Sequence, residues 1–165
     1  MNQSIDLALH RRRQALDNWL NDCKRRMGLV FPKIEFEAEH WPIKTLYNTD
    51  QDDWSFTQSA SQLTVKDISY RDTLRCLVAE MIIAGKPKHL PDQVSAYRRL
   101  VAVQAHKIFD LTCSDLRKLE EEMLIHGKTQ PQRAGLMNRQ LSTLSRMTVL
   151  LSTKGIIPRL GYHVR

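Results

Sequence analysis

Leu9, Leu16, Trp19, Leu20, Cys23 and Met27 recur at intervals of one, three, four and seven residues, the spacing that places side chains on one face of an α-helix. This stripe predicts a helix over residues 4–27, with Ser4 as its N-terminal cap and Gly28 closing it. Its other face carries Arg11, Arg12, Lys24 and Arg25. The period is lost over residues 29–67, where Pro32 and Pro42 interrupt the chain and only Ile34-Glu35-Phe36-Glu37-Ala38 alternates as a short strand would. A connector with little regular structure, at most a short hairpin, is expected there. Trp41, Trp54 and Phe56 should pin it to an apolar surface. Aromatics beside cations would suggest base stacking, but the neighbours here are Glu35, Glu37, Glu39, Asp50, Asp52 and Asp53, which favours packing.

Helical spacing returns at residue 69 and yields four helices. The first, over residues 69–84, has Leu74, Leu77, Val78, Met81 and Ile82 as its apolar positions and Gly85 after it. The second has Pro91 at its first position, where a fixed φ is favourable, and continues through Val94, Tyr97, Val101 and Ile108. Thr112 and Asp115 form a near capping box ahead of Leu116, Leu119, Met123 and Leu124, and Gly127 follows. The fourth starts near Pro131, buries Met137, Leu141, Leu144, Thr148 and Leu151, and ends at Gly155 and Pro158. The expected architecture is all-α: a four-helix bundle over residues 68–165, preceded by an N-terminal helix and an extended arm over residues 1–67. Residues 68–159 should fold alone, with proteolysis falling first between residues 29 and 67.

At 165 residues and 42% hydrophobic composition, the chain can bury a core without disulfides or a metal. Cys23, Cys76 and Cys113 are odd in number and widely spaced, which suits small buried side chains in a reducing compartment. No run of about 18 apolar residues occurs, and the N-terminal order of an apolar stretch followed by Arg11-Arg12-Arg13 is not that of a signal peptide. A soluble, cytoplasmic protein with no membrane partner is expected.

The net charge of +7 favours anionic partners. Its distribution is more telling. Residues 1–28 hold six basic and three acidic residues, residues 29–68 three and seven, and residues 69–165 sixteen and eight. From residue 128 to 165 there are seven basic residues and no Asp or Glu. Opposite the apolar stripe of the last helix lie Gln132, Gly135, Arg139, Ser142, Thr143 and Arg146, a face that joins cations for phosphates to groups able to reach base edges.

Catalytic chemistry finds no footing. No G-x-S-x-G, no H-E-x-x-H and no Gly-rich phosphate loop is present, the six histidines pair with no cysteine at ligand spacing, and Glu120-Glu121-Glu122 fan around a helix rather than converge. No catalytic residue, metal, cofactor or small-molecule substrate is expected.

The order and spacing of Leu111-Thr112, Asp115-Leu116, Thr129, the run 136–151 and Gly155-Ile156-Ile157 resemble the core-binding region of tyrosine recombinases, the phage-integrase family, over residues 68–157. The stretch 54–65 resembles an arm found in some bacterial integrases. The resemblance implies one half of a clamp around double-stranded DNA, with other recombinase protomers as further partners. By the match, Lys128, Thr129, Arg133, Arg139, Thr143 and Arg146 face the groove, and Arg98, Arg99 and Lys107 are candidates for backbone contacts. The family's catalytic domain supplies an Arg, His-x-x-Arg and Tyr set. Gly161-Tyr162-His163-Val164-Arg165 does not reproduce it, since Tyr162 precedes His163 and Arg165 and their spacing is wrong. The expectation is a non-catalytic DNA-binding module of an integrase-like recombinase; the alternative is a helical interaction module whose basic face meets an acidic protein.

Overall fold

The computed structural model describes residues 2–44, 53–56, 67–103 and 107–158, with side chains from residue 7 onward. It is all-α. Helix α1 (Asn2–Val30) is followed by a two-residue antiparallel pair, β1 (His40–Trp41) with β2 (Trp54–Ser55). Helices α2 (Ile68–Ile83), α3 (Leu90–Ala102), α4 (Cys113–Thr129) and α5 (Ala134–Thr153) complete the bundle. Short 3-10 turns at Pro87–His89, Ile108–Asp110 and Pro131–Arg133 join them. Helix α1 packs along α2, while α3 and α4 both pack on α5.

Most positions of the predicted stripes are buried, though Leu124 of α4 is exposed. Leu16, Trp19, Cys23 and Met27 of α1 are covered, as are Met137, Leu141, Leu144, Thr148 and Leu151 of α5. Thr112 accepts from Asp115 N at 3.2 Å while Asp115 accepts from Thr112 N at 3.0 Å, the reciprocal cap that starts α4. Two glycines end helices as expected. Gly85 (φ +70°) and Gly155 (φ +79°) take the left-handed conformation, and in both turns the next residue's N–H reaches back five positions, Lys86 to Met81 O and Ile156 to Leu151 O, each at 3.0 Å.

Several boundaries differ from expectation. α1 begins at Asn2 and runs to Val30, so Ser4 lies inside it and Gly28 does not stop it. Gly127 lies within α4, where an added Cβ would sit 3.6 Å from Ala134 Cα, an ordinary van der Waals contact. α3 ends at Ala102, and Ile108 belongs to a separate 3-10 turn whose side chain still reaches the core.

Side chains from α1, from the arm (Phe36, Trp41, Ile43, Phe56) and from all four later helices form one continuous cluster. Arg75 of α2 explains how the arm is held. It is only 7% exposed, its guanidinium lies 4.0 Å from the centre of the Phe56 ring and 5.7 Å from that of Trp41, and its Nη1 donates to Phe36 O (2.6 Å) and Ala38 O (3.0 Å). A planar cation thus holds the described part of the arm through its carbonyls and ring faces, in addition to the short β1–β2 pair. Arg71 pairs with Glu39 beside it.

Across the α1–α2 seam, Trp19 Nε1 donates to Glu80 at 3.0 Å and Arg26 binds both Glu80 oxygens. Burial raises the Glu80 pKa, but the hydrogen bonds from Arg26 and Trp19 outweigh it and hold the carboxyl below its ordinary value. Asp72 has the opposite sign: burial outweighs its 3.1 Å ion pair with Arg13 and raises it. Burial also pushes the Cys76 thiol far up, so it stays protonated and inert.

A depressed folded pKa means that Glu80 stabilises the fold fully above its unfolded value, about 4.3, and that this is lost as pH falls through the lower folded value. Protonation of Asp72 acts the other way and relieves a buried charge. Glu80→Gln is therefore expected to lower stability by about 1.5–3 kcal/mol at pH 7, with the deficit shrinking below about pH 4. Urea midpoints for both proteins across that range measure it, and a deficit independent of pH would place its origin elsewhere.

Candidate nucleic-acid interface

Most cations of α1 are engaged internally. Arg12 donates to Phe109 O at 2.9 Å, Arg13 pairs with Asp72, Lys24 with Glu37 at 2.6 Å, Arg25 with Asp22 at 2.9 Å, and Arg26 with Asp22 and Glu80. The Lys154 ammonium lies 5.7 Å from the centre of the Trp19 ring. The charge balance of α1 is thus largely cancelled in the fold.

Four basic side chains elsewhere have no ion-pair partner among the described residues. Arg139 and Arg146 are exposed on α5 and make no ion pair with any described residue, and the same holds for Lys86 and His89 in the connection between α2 and α3. Seven residues separate Arg139 from Arg146, nearly two whole turns, so they share a face about 10.5 Å apart along the axis. That is close to the rise of three base pairs. Ser142 lies between them, also exposed.

These two groups face each other across a cleft of about 800 Å³. One wall is α5, with Arg139, Ser142 and Arg146; the other is the corner after α2 and the first turn of α3, with Lys86, His89 and Gln93. Leu77, Met81, Met147 and Leu150 supply its apolar lining. Two acids border it. Glu80 is held by Arg26 and Trp19, which leaves Asp92 as the bordering carboxylate with no ion pair to a described residue. The local sequence fixes the second wall. The Gly85 turn reverses the chain, Pro87 is buried, and a 3-10 turn leads directly into α3.

The sequence-derived candidates separate in the structure. Arg139 and Arg146 line the cleft as exposed cations. Thr143 borders it too, but the reading of Thr143 as an outward, groove-facing group is corrected: it is 8% exposed, and its hydroxyl donates to Arg139 O at 3.0 Å, one turn back in its own helix. Lys128 and Thr129 end α4 as exposed residues outside the cleft, with the Thr129 hydroxyl donating to Ile125 O at 3.1 Å. Arg133 is exposed on the 3-10 turn ahead of α5. On α3, Arg98 is exposed and Arg99 half-buried. Lys107 borders a different hollow, of about 380 Å³, with Arg13 and Asp67. The structure therefore brings Arg139 and Arg146 together and leaves Arg98, Arg99, Lys107 and Lys128 apart from them.

Lys86, His89 and Gln93 were missed from sequence. Their signal was the acid-free run Lys86-Pro87-Lys88-His89 directly after a helix-stopping Gly85. Among the described residues no group of three or more His, Cys, Asp or Glu is placed to hold a metal ion, and no helix is long and apolar enough to cross a membrane. Arg159, Tyr162, His163 and Arg165 lie outside the described residues. Comparison with known proteins finds no matching family model, no matching curated protein and no matching solved structure.

Proposed function

We propose that this protein binds double-stranded DNA through α5, as a non-catalytic module that positions an integrase-like recombinase on its site. One observation carries the reading: in a fold that neutralises most cations of α1, Arg139 and Arg146 stand unpaired on an acid-free helix face. The resemblance of residues 68–157 to recombinase core-binding regions agrees with it. Guanidinium groups bind phosphate oxygens in a planar, two-pronged fashion, so the two arginines would fix register along a strand, and Ser142 between them would reach a phosphate or a base edge. Fluorescence anisotropy of a labelled duplex titrated at several salt concentrations tests this. Each neutralised phosphate should contribute about −0.9 to the slope of log K against log salt. Absence of salt-dependent binding would remove the reading.

The apolar lining, with half-buried Met81 and Leu150, favours a second reading in which the cleft receives an acidic amphipathic helix of another protein. The slope separates them, because counterion release from a polyphosphate is far steeper than the screening of a few carboxylates.

Within the DNA reading the two hydroxyl residues of α5 should behave differently. Ser142→Ala is expected to weaken binding or, if the hydroxyl reads a base edge, to relax preference at one position by about 1–3 kcal/mol. Thr143→Ala is expected to leave both affinity and preference near wild type, since its hydroxyl is already bonded within the helix. Competition titrations with single-base variants of a bound duplex measure both.

A further inference from the structure

We infer that the corner after α2, with Lys86 and His89, is a second DNA-contacting wall, so that the cleft seats one sugar–phosphate strand of the duplex between this corner and α5. The inference rests on the DNA reading of α5 and extends it to residues on a different part of the chain.

Charge is the first argument. Lys86 and His89 face Arg139 and Arg146 across the same hollow, and none of the four makes an ion pair with a described residue. A strand entering from solvent would have cations on both sides. The carboxylate of Glu80 is drawn back by Arg26, which leaves Asp92 as a negative group at one border, where it would repel a phosphate and limit how far the strand slides. Rigidity is the second argument. Lys86 follows the left-handed Gly85, whose turn is closed by Lys86 N donating to Met81 O at 3.0 Å, and buried Pro87 anchors the next residue. Cations on a corner already fixed by the backbone lose less freedom on binding than cations on a loose loop. The chemistry of the lining is the third. Among the described residues no Phe, Tyr or Trp lines the cleft, so these walls offer no platform for a stacked base; half-buried Met81 and Leu150 instead present apolar surface suited to deoxyribose. A backbone edge of duplex, rather than an unstacked single strand, is the ligand this surface fits.

Lys88 supplies the control. It is exposed and two residues from Lys86, but it does not line the cleft. With the full chain and a labelled duplex, Lys86→Ala should reduce the magnitude of the salt slope by about 1, and Lys86→Arg should restore it. Lys88→Ala should leave it at the wild-type value. His89→Ala should weaken binding about two- to ten-fold, the effect of one lost hydrogen bond. Circular dichroism and the thermal midpoint establish that each variant is folded, and the Arg variant keeps the question answerable should the Ala variant fail to fold. Equal losses from Lys86→Ala and Lys88→Ala, or no loss from Lys86→Ala, would overturn the cleft while leaving α5 as the binding face. A wild-type protein with no salt-dependent duplex binding would overturn both. Tighter binding of a single strand of the same sequence than of the duplex would also overturn the seat described here.

Discussion

Replacing Arg139 and Arg146 together by alanine should lower duplex affinity at least about ten-fold at 50 mM salt and reduce the magnitude of the salt slope by about 2. Both side chains are exposed and neither has an ion-pair partner among the described residues, so the substitution breaks no internal contact and the thermal midpoint should hardly move. Alanine also has the highest helix propensity, which keeps α5 intact. The loss should be largest at low salt and fade as salt rises, because the missing interaction is itself the one that salt screens. Changing Glu121, exposed on α4 and outside the cleft, serves as the comparison and should leave binding near wild type. A double variant with wild-type affinity and wild-type circular dichroism would take α5 out of the interface and put the acidic-helix reading ahead.

The largest effect on stability should come from Arg75→Ala, with a loss of about 3–5 kcal/mol. A typical domain has only about 5–15 kcal/mol in total, so a large unfolded fraction at 37 °C is expected. Three losses coincide: the carbonyls of Phe36 and Ala38 lose their donor, the faces of Phe56 and Trp41 lose the cation, and a void opens where a long side chain stood. Arg75→Lys should recover only part of it, since an ammonium is a point charge and cannot lie flat on the Phe56 ring while donating in two directions. Urea midpoints followed by tryptophan fluorescence measure the effect. If Arg75→Ala unfolded at the wild-type midpoint, the arm would have to be held by its aromatic contacts alone.

Helix existence was legible because it depends on local periodicity, and the stripes of α1 and α5 were read residue by residue. What was not legible depends on contacts between distant segments. Gly28 and Gly127 looked like stops because glycine costs about 1 kcal/mol inside a helix; both nevertheless lie within helices, α1 and α4. Arg75, between Leu74 and Cys76, carried no sign that three aromatics from the arm would enclose it. Of the α5 face read opposite the stripe, Arg139, Ser142 and Arg146 are exposed, while Thr143 is buried at the edge of the stripe beside Leu144. The opposite wall of the cleft escaped because a helix face is a property of one segment, whereas a cleft needs two.

The turn that ends α5 lies directly against α1, with Gly155 3.4 Å from the Cβ of Ala15 if it carried a side chain, and with Lys154 over Trp19. During synthesis this closure comes late. At about 5–20 residues per second, roughly 7–28 s pass between the appearance of residue 15 and that of residue 155. Through that interval the apolar stripe of α1 has α2 as its first available cover, and the edge that meets Lys154 and Gly155 stays open to water. The face of α1 at Ala15 and Trp19 is therefore the part of this helix that the nascent chain leaves longest without the cover of Lys154 and Gly155.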